Sequence, residues 1–228
     1  MPAAPLPPTE AARLRALEAY RILDTAPEQV FDDLVAVAAH VCGAPMSLIT
    51  LVDESRQWFK AKVGFTVNET KREHAFCAHA ILDTAPLIVP DATTDARFAD
   101  NPYVVTDPSI RFYAGAPLMT PDGHALGTLC VLDRVPRELT PEQRTALEAL
   151  ARQAGALLEW RRTMDDLATA LASVRALEGL IPICAGCKNV RDDAGYWTRV
   201  ETYLTERSGA TFSHGLCPTC EVRLYPEP

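Results

Sequence analysis

The sequence predicts a mixed α/β fold in which a largely antiparallel sheet precedes one long helix and a small cysteine-containing module. Three observations indicate this. Short apolar stretches bounded by turn residues alternate with amphipathic helical segments as far as about residue 135. A stretch without internal proline then extends from Pro141 to about Leu177. Two Cys-x-x-Cys pairs follow, at 184–187 and 217–220.

Composition and charge narrow the class of protein. A chain of 228 residues with 48% hydrophobic and 23% charged residues is typical of a soluble globular protein. The formal charge of −8, without a basic patch, argues against a nucleic-acid partner. No apolar run reaches the ~18 residues that a membrane span needs. Residues 1–9 lack the features of a signal peptide, so we expect a disordered lead and a cytoplasmic protein.

Two amphipathic helices are predicted near the N-terminus. Leu14 and Leu17 recur at helical spacing in the first of them. For the second, Thr25 is the predicted N-cap, Glu28 its capping-box partner and Gly43 the C-terminal stop.

The strands follow from apolar runs and the turns between them. Residues 45–53 and 56–64 predict a hairpin, and the first of these strands is apolar on both faces, as a central strand should be. A short helix is predicted in "KREHAFCAHAILDT", a short strand in "PLIVPDA" and a loop in "DARFADNPYVVTDP". Two more strands, 110–120 and 124–133, flank the turn "PDG".

Several segments, in collinear order, carry a family resemblance. They are "YRILDTAPEQVFDDL", "SLITLVDESRQWFKAKVG", "REHAFCAHAI", "LIVPDATTDARFADNP", "IRFYAGAPLMTPDGHALGTLCVLDRVPRELT" and "LARQAGALLEWRR". Residues 10–162 thereby resemble the GAF sensory domains of bacterial signal-transduction proteins. The resemblance implies a six-stranded antiparallel sheet with helices on one face and a small ligand pocket under loops on the other.

Residues 181–228 resemble a short tail found in bacterial receiver-, PAS- and GAF-containing signalling proteins.

The long helix, which starts at about residue 140, carries a heptad pattern. Position a would hold Leu150, Leu157, Met164 and Leu171, and position d would hold Gln153, Trp160, Leu167 and Val174. We therefore expect a parallel homodimer through residues 140–178, with 163–180 as a coiled-coil signalling helix. The alternative is that Leu150, Ala154 and Leu157 pack on the sheet and only the later turns project outward.

The pocket that the GAF resemblance implies has nine candidate ligand residues. They are Cys77, His79, Asp91, Asp95, Arg97, Asp100, Asn101, Arg111 and Tyr113.

Each of these candidates also has an ordinary structural explanation. Cys77 and His79 stand two positions apart and could serve a haem, a bilin or a metal, but a cytosolic cysteine is commonly a small buried side chain. The adjacent Cys-His pair of bilin-binding GAF relatives is absent, and we find no match to the signature of the cyclic-nucleotide-binding subgroup. Aspartate and asparagine in loops are equally well explained as turn formers.

The two cysteine pairs predict a metal-binding module in residues 181–228. Cys184, Cys187, Cys217 and Cys220 supply four thiolates, the donor set that tetrahedral zinc prefers, and His214 could replace one sulfur or bond to it. A segment with so few aliphatic residues needs such a metal to fold. Redox chemistry at either pair is the competing hypothesis, although the βαβ context of thioredoxin-like proteins is absent.

The sequence thus predicts a non-catalytic sensory protein and not an enzyme. Its GAF domain would sense a small ligand or a redox state, and a dimeric helix would couple this to a zinc-stabilised module that binds a protein partner. The alternative is a thiol-based redox enzyme or sensor that uses Cys77 or the paired cysteines, since one branch of GAF proteins reduces free methionine sulfoxide.

Overall fold

The structure is a computed structural model that describes residues 2–178, 181–192 and 195–224. Residue 1 of the expected lead, residues 179–180 of the signalling helix and residues 225–228 of the cysteine module lie outside the described residues, as does the side chain of Val174. The chain divides into two compact units, Met1–Asp166 and Leu167–Pro228. The domain boundaries expected from the sequence, at 162 and 180, stay predictions.

A six-stranded antiparallel sheet forms the centre of the first unit, in the order β3-β2-β1-β6-β5-β4. Its strands are β1 (Met46–Val52), β2 (Arg56–Val63), β3 (Glu69–Lys71), β4 (Leu87–Val89), β5 (Phe112–Met119) and β6 (Ala125–Asp133). Every residue of β1 and β6 is buried, because these strands lie in the middle of the sheet and are covered on both faces. The predicted hairpins and the predicted fold class are confirmed.

Helices cover both faces of this sheet. Those described up to residue 178 are α1 (Glu10–Ala19), α2 (Gln29–Cys42), α3 (Phe76–Ala80), α4 (Pro102–Val105) and α5 (Pro141–Glu178). The GAF resemblance implied helices on one face only, whereas the short helices α3 and α4 pack on the pocket side. A 3₁₀ turn, Arg72–His74, precedes α3. The sequence predicted a loop where α4 forms. There the Asn101 side chain accepts a hydrogen bond from the Tyr103 backbone N–H at 2.9 Å, and Pro102 occupies the first helical position.

Two separate hydrophobic cores lie on opposite faces of the sheet. The first contains Phe31 of α2, Leu158 of α5 and Phe112 of β5. The second contains Phe76 of α3 and Tyr113 of β5. Successive residues of a strand point to opposite faces, so neighbouring residues of β5 belong to different cores. We call the first the helix-side core and the second the pocket-side core.

The start of α2 differs from the prediction. The helix begins at Gln29, and neither Thr25 nor Glu28 forms the predicted capping box. Both side chains instead accept hydrogen bonds from the Lys60 ammonium, at 3.0 and 2.6 Å. The buried Lys60 ammonium group of β2 thus binds the two side chains that were predicted to cap α2. The predicted stop is confirmed, since Gly43 ends α2 with a left-handed φ of 62°.

The second unit contains a two-stranded hairpin and two helices after the end of α5. Its described elements are β7 (Val190–Arg191), β8 (Trp197–Thr198), α6 (Val200–Ser208) and α7 (Pro218–Leu224). Within the segment "GYWTRVETYLTER", Trp197 and Thr198 pair with β7, and α6 begins two residues later.

A buried arginine network fixes α1 to the end of β1 and the turn that follows it. Arg13, which is 1% exposed, donates to the Val52 carbonyl at 2.7 Å and forms an ion pair with Glu10 at 2.7 Å. Arg72 forms a second ion pair with Glu10 at 2.5 Å. Partial burial alone would raise the pKa of Glu10, but hydrogen bonds and charges from both arginines outweigh it and lower that pKa to about 2.

The Glu10 network predicts a pH-dependent contribution to stability. The folded-state pKa of about 2 lies below the ordinary value of 4.5. The stabilisation is therefore present above pH 4.5 and is lost as the pH falls from there towards 2. Glu10→Gln should lower the free energy of unfolding at pH 7 by about 2 kcal/mol and much less at pH 3. Urea denaturation followed by circular dichroism measures both values. Glu18→Gln on the same helix is the control, and an equal loss at both pH values would contradict the assignment.

Candidate functional site

A small cavity of about 30 Å³ lies in the pocket-side core. Aromatic rings form part of its wall, and the side chains that matter for its chemistry are Phe59, Phe65, His74, Phe76, Cys77, Tyr103, Tyr113 and Cys130. The strands β2, β5 and β6 supply one wall, while the 3₁₀ turn and α3 supply the opposite one. The cavity therefore lies between the sheet and the short helix, where the GAF resemblance implies a ligand pocket.

Contacts between aromatic rings limit the volume of this cavity. Phe76 stacks on Tyr113 with ring centroids 5.1 Å apart and on Phe98 at 4.2 Å. Phe65 contacts both Phe59, at 5.7 Å, and Tyr103, at 6.4 Å, in edge-on geometry. As arranged, the site accommodates a molecule of a few heavy atoms, and a larger ligand would need these rings to move.

Two thiols belong to the polar part of the cavity wall, which also includes Gln57, Thr70 and His74. Cys77 and Cys130 are fully buried with their sulfurs 3.9 Å apart. The Thr128 hydroxyl donates to the Cys77 sulfur at 3.0 Å, and the Tyr113 hydroxyl donates to it at 3.3 Å. Cys77 and Tyr113 were among the predicted ligand residues, whereas Cys130 was not. The pairing of β5 with β6, which sets Gly115 opposite Cys130, brings Tyr113 and Cys130 to one face of the sheet, and the packing of α3 on that face adds Cys77.

The environment separates the pKa values of the two thiols. Burial alone would raise the pKa of Cys77, but hydrogen bonds from Cys130, Thr128 and Tyr113 outweigh it and lower that pKa. Burial and the neighbouring Cys77 raise the pKa of Cys130 well above its ordinary value. Burial raises the pKa of Tyr113 in the same way. Cys77 is thus the group of this cluster that ionises first.

Glycine at position 115 leaves room for the hydrogen bond between the Tyr113 hydroxyl and the Cys77 sulfur. The Tyr113 side chain lies across Gly115, and a Cβ atom there would stand 2.0 Å from the phenol oxygen. Any larger residue at position 115 would force the ring out of its place.

His79 does not share the cavity with Cys77. Its ring contacts Phe98 edge-on at 4.9 Å and borders a separate groove that is also lined by Pro2, Ala3 and Arg97. Burial lowers the pKa of His79, and the charge of Arg97 adds to this effect. The structure therefore does not bring Cys77 and His79 together as a pair of ligands.

The predicted loop residues act as turn formers, helix caps and ion pairs in the part of the chain that the structure describes. Asp91 accepts hydrogen bonds from the backbone and hydroxyl of Thr93, at 2.9 and 2.7 Å. Asp95 pairs with Arg97 at 2.6 Å.

The remaining loop candidates behave similarly. Asn101 caps α4 and donates to the His74 carbonyl at 2.9 Å, and Arg111 donates to the Val104 carbonyl at 2.7 Å. Asp100 lies on the exposed surface. Asn101 thus acts on the cavity only through the backbone of His74, which lines it.

An ion network connects the sheet to the long helix. Lys60 of β2, whose side chain is fully buried, pairs with Glu28 at 2.6 Å, and Arg161 of α5 pairs with the same carboxylate at 3.1 Å. Two residues earlier in α5, Glu159 accepts a hydrogen bond from the Tyr20 hydroxyl at 2.5 Å. Phe59 lines the cavity, whereas Lys60, at an irregularity in the pairing of β2, lies over the Phe31 ring of the helix-side core. One strand thus touches both the cavity wall and, through Glu28, the helix.

The long helix changes from a buried to an exposed apolar surface along its length. Leu147, Ala151, Ala154 and Leu158 are buried in the helix-side core, with Leu150 and Leu157 packed against it. The later apolar residues are exposed: Trp160 by 63%, Met164 by 46%, Leu167 by 50% and Leu171 by 50%. The early heptad positions therefore pack on the domain, as the alternative in the sequence analysis had it, and the later turns present an apolar stripe.

The first cysteine pair lies in a tight hairpin. The Cys184 N–H donates to the Asn189 carbonyl at 2.7 Å, the Lys188 N–H donates to the Cys184 carbonyl at 3.0 Å, and Lys188 has a left-handed φ of 63°. Backbone N–H groups of Cys187 and Gly186 point at the Cys184 sulfur and, together with the Cys187 side chain, lower its pKa. This arrangement favours a thiolate.

The second pair lies at the start of α7. The Cys217 carbonyl accepts the first helical hydrogen bonds, from the N–H groups of Cys220 and Glu221, both at 2.9 Å. Hydrogen bonds from the backbone and side chain of Cys220 lower the pKa of Cys217. His214 is exposed. Within the residues described, no three His, Cys, Asp or Glu side chains are grouped closely enough to hold one metal ion. The structure places Cys184 with Cys187 and Cys217 with Cys220, as two separate pairs.

None of the described helices is both long enough and apolar enough to cross a membrane.

Comparison with known proteins places residues 26–158 in the GAF domain family. A cyclic di-GMP phosphodiesterase from Pseudomonas aeruginosa is 44% identical over 149 residues. This similarity covers 65% of the present chain and only 25% of the phosphodiesterase, so the chain spans about a quarter of the length of that relative.

Solved structures share the fold at low identity. A GAF domain from a phosphoenolpyruvate-protein phosphotransferase of Coxiella burnetii has a TM-score of 0.53 at 15% identity, covering 68% of this chain and 96% of that one. The corresponding domain from Acinetobacter has a TM-score of 0.50 at 17% identity, with the same coverage.

The comparisons correct one prediction and confirm another. The expectation of a non-catalytic sensory protein that is not an enzyme is wrong, because the curated relative that shares this region carries the name of an enzyme. The family resemblance of the sheet and its helices is confirmed. Since the family model covers more than half of the 228 residues, the chain belongs to the GAF domain family.

Proposed function

We propose that this chain acts in cyclic di-GMP signalling, with its GAF domain as the regulatory part of a phosphodiesterase system. The observation that carries this proposal is the 44% identity with a cyclic di-GMP phosphodiesterase. In the proposal, a small ligand occupies the cavity between β2, β5 and α3 and controls the breakdown of cyclic di-GMP. The protein works in the cytoplasm, where this nucleotide is found, and its output reaches a protein partner.

The ion network supports a route from the cavity to the helix. A ligand that displaces Phe59 would act on β2, whose next residue, Lys60, holds Glu28 and through it Arg161. A network of this kind couples the two sites only if a ligand favours one of two arrangements.

The role in cyclic di-GMP breakdown is tested in the source organism. Deleting the gene should raise the cellular cyclic di-GMP level, measured by mass spectrometry, and the wild-type gene should restore it. His74→Ala, at the cavity, should restore it incompletely, because the ligand loses an imidazole contact. The matched control is His40→Ala on the exposed surface of α2, which should restore it fully. A nucleotide level that is the same with and without the gene would overturn the proposal.

We also propose that the tail is a zinc module of the kind found in bacterial signalling proteins, held by Cys184, Cys187, Cys217 and Cys220. The donor set fits zinc, since each pair presents one thiol with a lowered pKa, and zinc binds the thiolate form. Zinc bound there would supply structural stability, and His214 would lie close enough in sequence to bond to a cysteine sulfur. In this proposal, binding requires the two pairs to come together.

The zinc proposal predicts about one zinc per chain, by elemental mass spectrometry of protein purified without added metal. Cys184→Ser should lose the metal, because a shell of three sulfurs holds zinc less tightly than four. The control is Cys42→Ser, which removes a buried thiol of the helix-side core and should keep the metal. Wild-type protein without metal, with four titratable thiols in the tail, would contradict the proposal.

We further propose that a second copy of the chain covers the apolar stripe of α5 as a coiled coil. Trp160, Met164, Leu167 and Leu171 follow each other at spacings of four, three and four residues, which is the spacing of a two-stranded seam. Each of them is exposed by at least 46%. Pairing with the identical stripe would remove all four from water.

The dimer is tested by a charge in the seam. Leu167→Glu should convert the dimer to a monomer at micromolar concentration, measured by analytical ultracentrifugation, because two carboxylates would face each other in an apolar contact. Ala172→Glu, one position after seam residue 171, adds the same charge outside the seam and should leave the dimer intact. A wild-type monomer, or a Leu167→Glu dimer as tight as the wild type, would rule out this interface.

A further inference from the structure

We propose that Cys77 and Cys130 are a modification site, at which a small hydroperoxide converts the two thiols into a disulfide in the cavity wall. This inference goes beyond the proposed function, because it does not depend on the ligand of the cavity or on cyclic di-GMP.

The geometry places the two sulfurs as reaction partners. They lie 3.9 Å apart, and a disulfide bond of about 2.05 Å requires them to approach by about 2 Å. Cys77 belongs to α3, a helix of only five residues, whereas Cys130 belongs to the central strand β6. The short helix is the element that can move towards the sheet, since few hydrogen bonds of its own hold it in place.

The surroundings assign different roles to the two sulfurs. Cys77 accepts hydrogen bonds from the hydroxyl groups of Thr128 and Tyr113, and such bonds stabilise a thiolate, the nucleophilic form of cysteine. Cys130 keeps its proton to higher pH, since burial raises its pKa. Cys77 is therefore the attacking sulfur and Cys130 the resolving one.

The cavity selects the oxidant by size. Its volume of about 30 Å³ holds a molecule as small as hydrogen peroxide, and both sulfurs border it. Bulky thiol reagents would meet the rings of Phe65, Phe76 and Tyr103 before they reached either sulfur. Hydrogen peroxide can therefore reach the buried thiols of Cys77 and Cys130, whereas larger oxidants cannot.

The reaction balances in two steps. The Cys77 thiolate attacks one peroxide oxygen, so that an S–O bond forms, the O–O bond breaks, and the departing hydroxide takes up a proton as water. The Cys130 sulfur then attacks the Cys77 sulfenic acid, forming the S–S bond and breaking the S–O bond. The leaving hydroxide becomes the second water with the Cys130 proton. Two thiols lose two electrons, and one peroxide gains them.

The other buried cysteine provides an internal comparison. Cys42, at the end of α2, lies in the helix-side core on the opposite face of the sheet, and burial raises the pKa of its thiol. It thus resembles Cys77 in burial but not in its surroundings. We expect it to stay reduced under the same treatment.

The experiment uses the full chain treated with hydrogen peroxide. Remaining thiols are blocked under denaturing conditions, and the unreduced digest is examined by mass spectrometry. A peptide that links Cys77 to Cys130 should increase about tenfold over untreated protein and disappear with dithiothreitol. In Cys130→Ser, dimedone added together with the denaturant after peroxide treatment should trap the Cys77 sulfenic acid instead. Cys42→Ser should form the linked peptide as the wild type does.

A second variant tests the hydrogen bond that activates Cys77. Thr128→Val should slow disulfide formation about tenfold, while Thr128→Ser, which keeps the hydroxyl, should restore the rate. Circular dichroism of each variant confirms that it is folded.

The proposal is overturned if peroxide leaves both Cys77 and Cys130 fully alkylated after denaturation, or if the only linked peptides join cysteines of the tail. It is also overturned if Cys42 oxidises as readily as Cys77. An unchanged cyclic di-GMP level in the deletion strain would overturn the proposed function but would not affect the peroxide experiment. Failure of the proposed function is therefore distinguishable from failure of the disulfide proposal.

Discussion

The pairing of Lys60 with Glu28 is the interaction on which the arrangement of the first unit most depends. A fully buried ammonium group is stable only where polar groups surround it, and the Thr25 hydroxyl, the Ala26 carbonyl and the Glu28 carboxylate do so here. Removing one partner of a buried ion pair costs about 3–5 kcal/mol, because the other charge remains buried. The loop before α2 therefore has little freedom to adopt another path.

The same loop also makes polar contacts with α5. Glu28 binds Arg161, the Tyr20 hydroxyl binds Glu159, and Arg21 pairs with Asp166. These contacts surround the point where the apolar residues of α5 change from buried to exposed, between Leu158 and Trp160. A segment of irregular structure between α1 and α2 thus contacts both β2 and the middle of α5.

How much of this could be predicted depended on whether the contacts were local. The hairpins of the sheet and the end of α2 at Gly43 were predictable, because short-range turn and capping rules decide them. The start of α2 was not, since Lys60 is far away in sequence and takes over the capping groups. The meeting of Cys77 with Cys130 likewise depends on the packing of α3 on β6, which no local pattern encodes. Each Cys-x-x-Cys turn is local and was evident, whereas the approach of one pair to the other is a long-range property.

Gly115 places a joint constraint on two positions of one strand. Because the Tyr113 ring occupies the space above Gly115, the presence of a hydroxyl beside Cys77 depends on the absence of a side chain two residues later. One added methyl group would remove the phenol from the cavity without touching any thiol. Among related chains, tyrosine at the first position and glycine at the second should therefore be inherited as a unit, and chains that have lost either should have a cavity of different polarity.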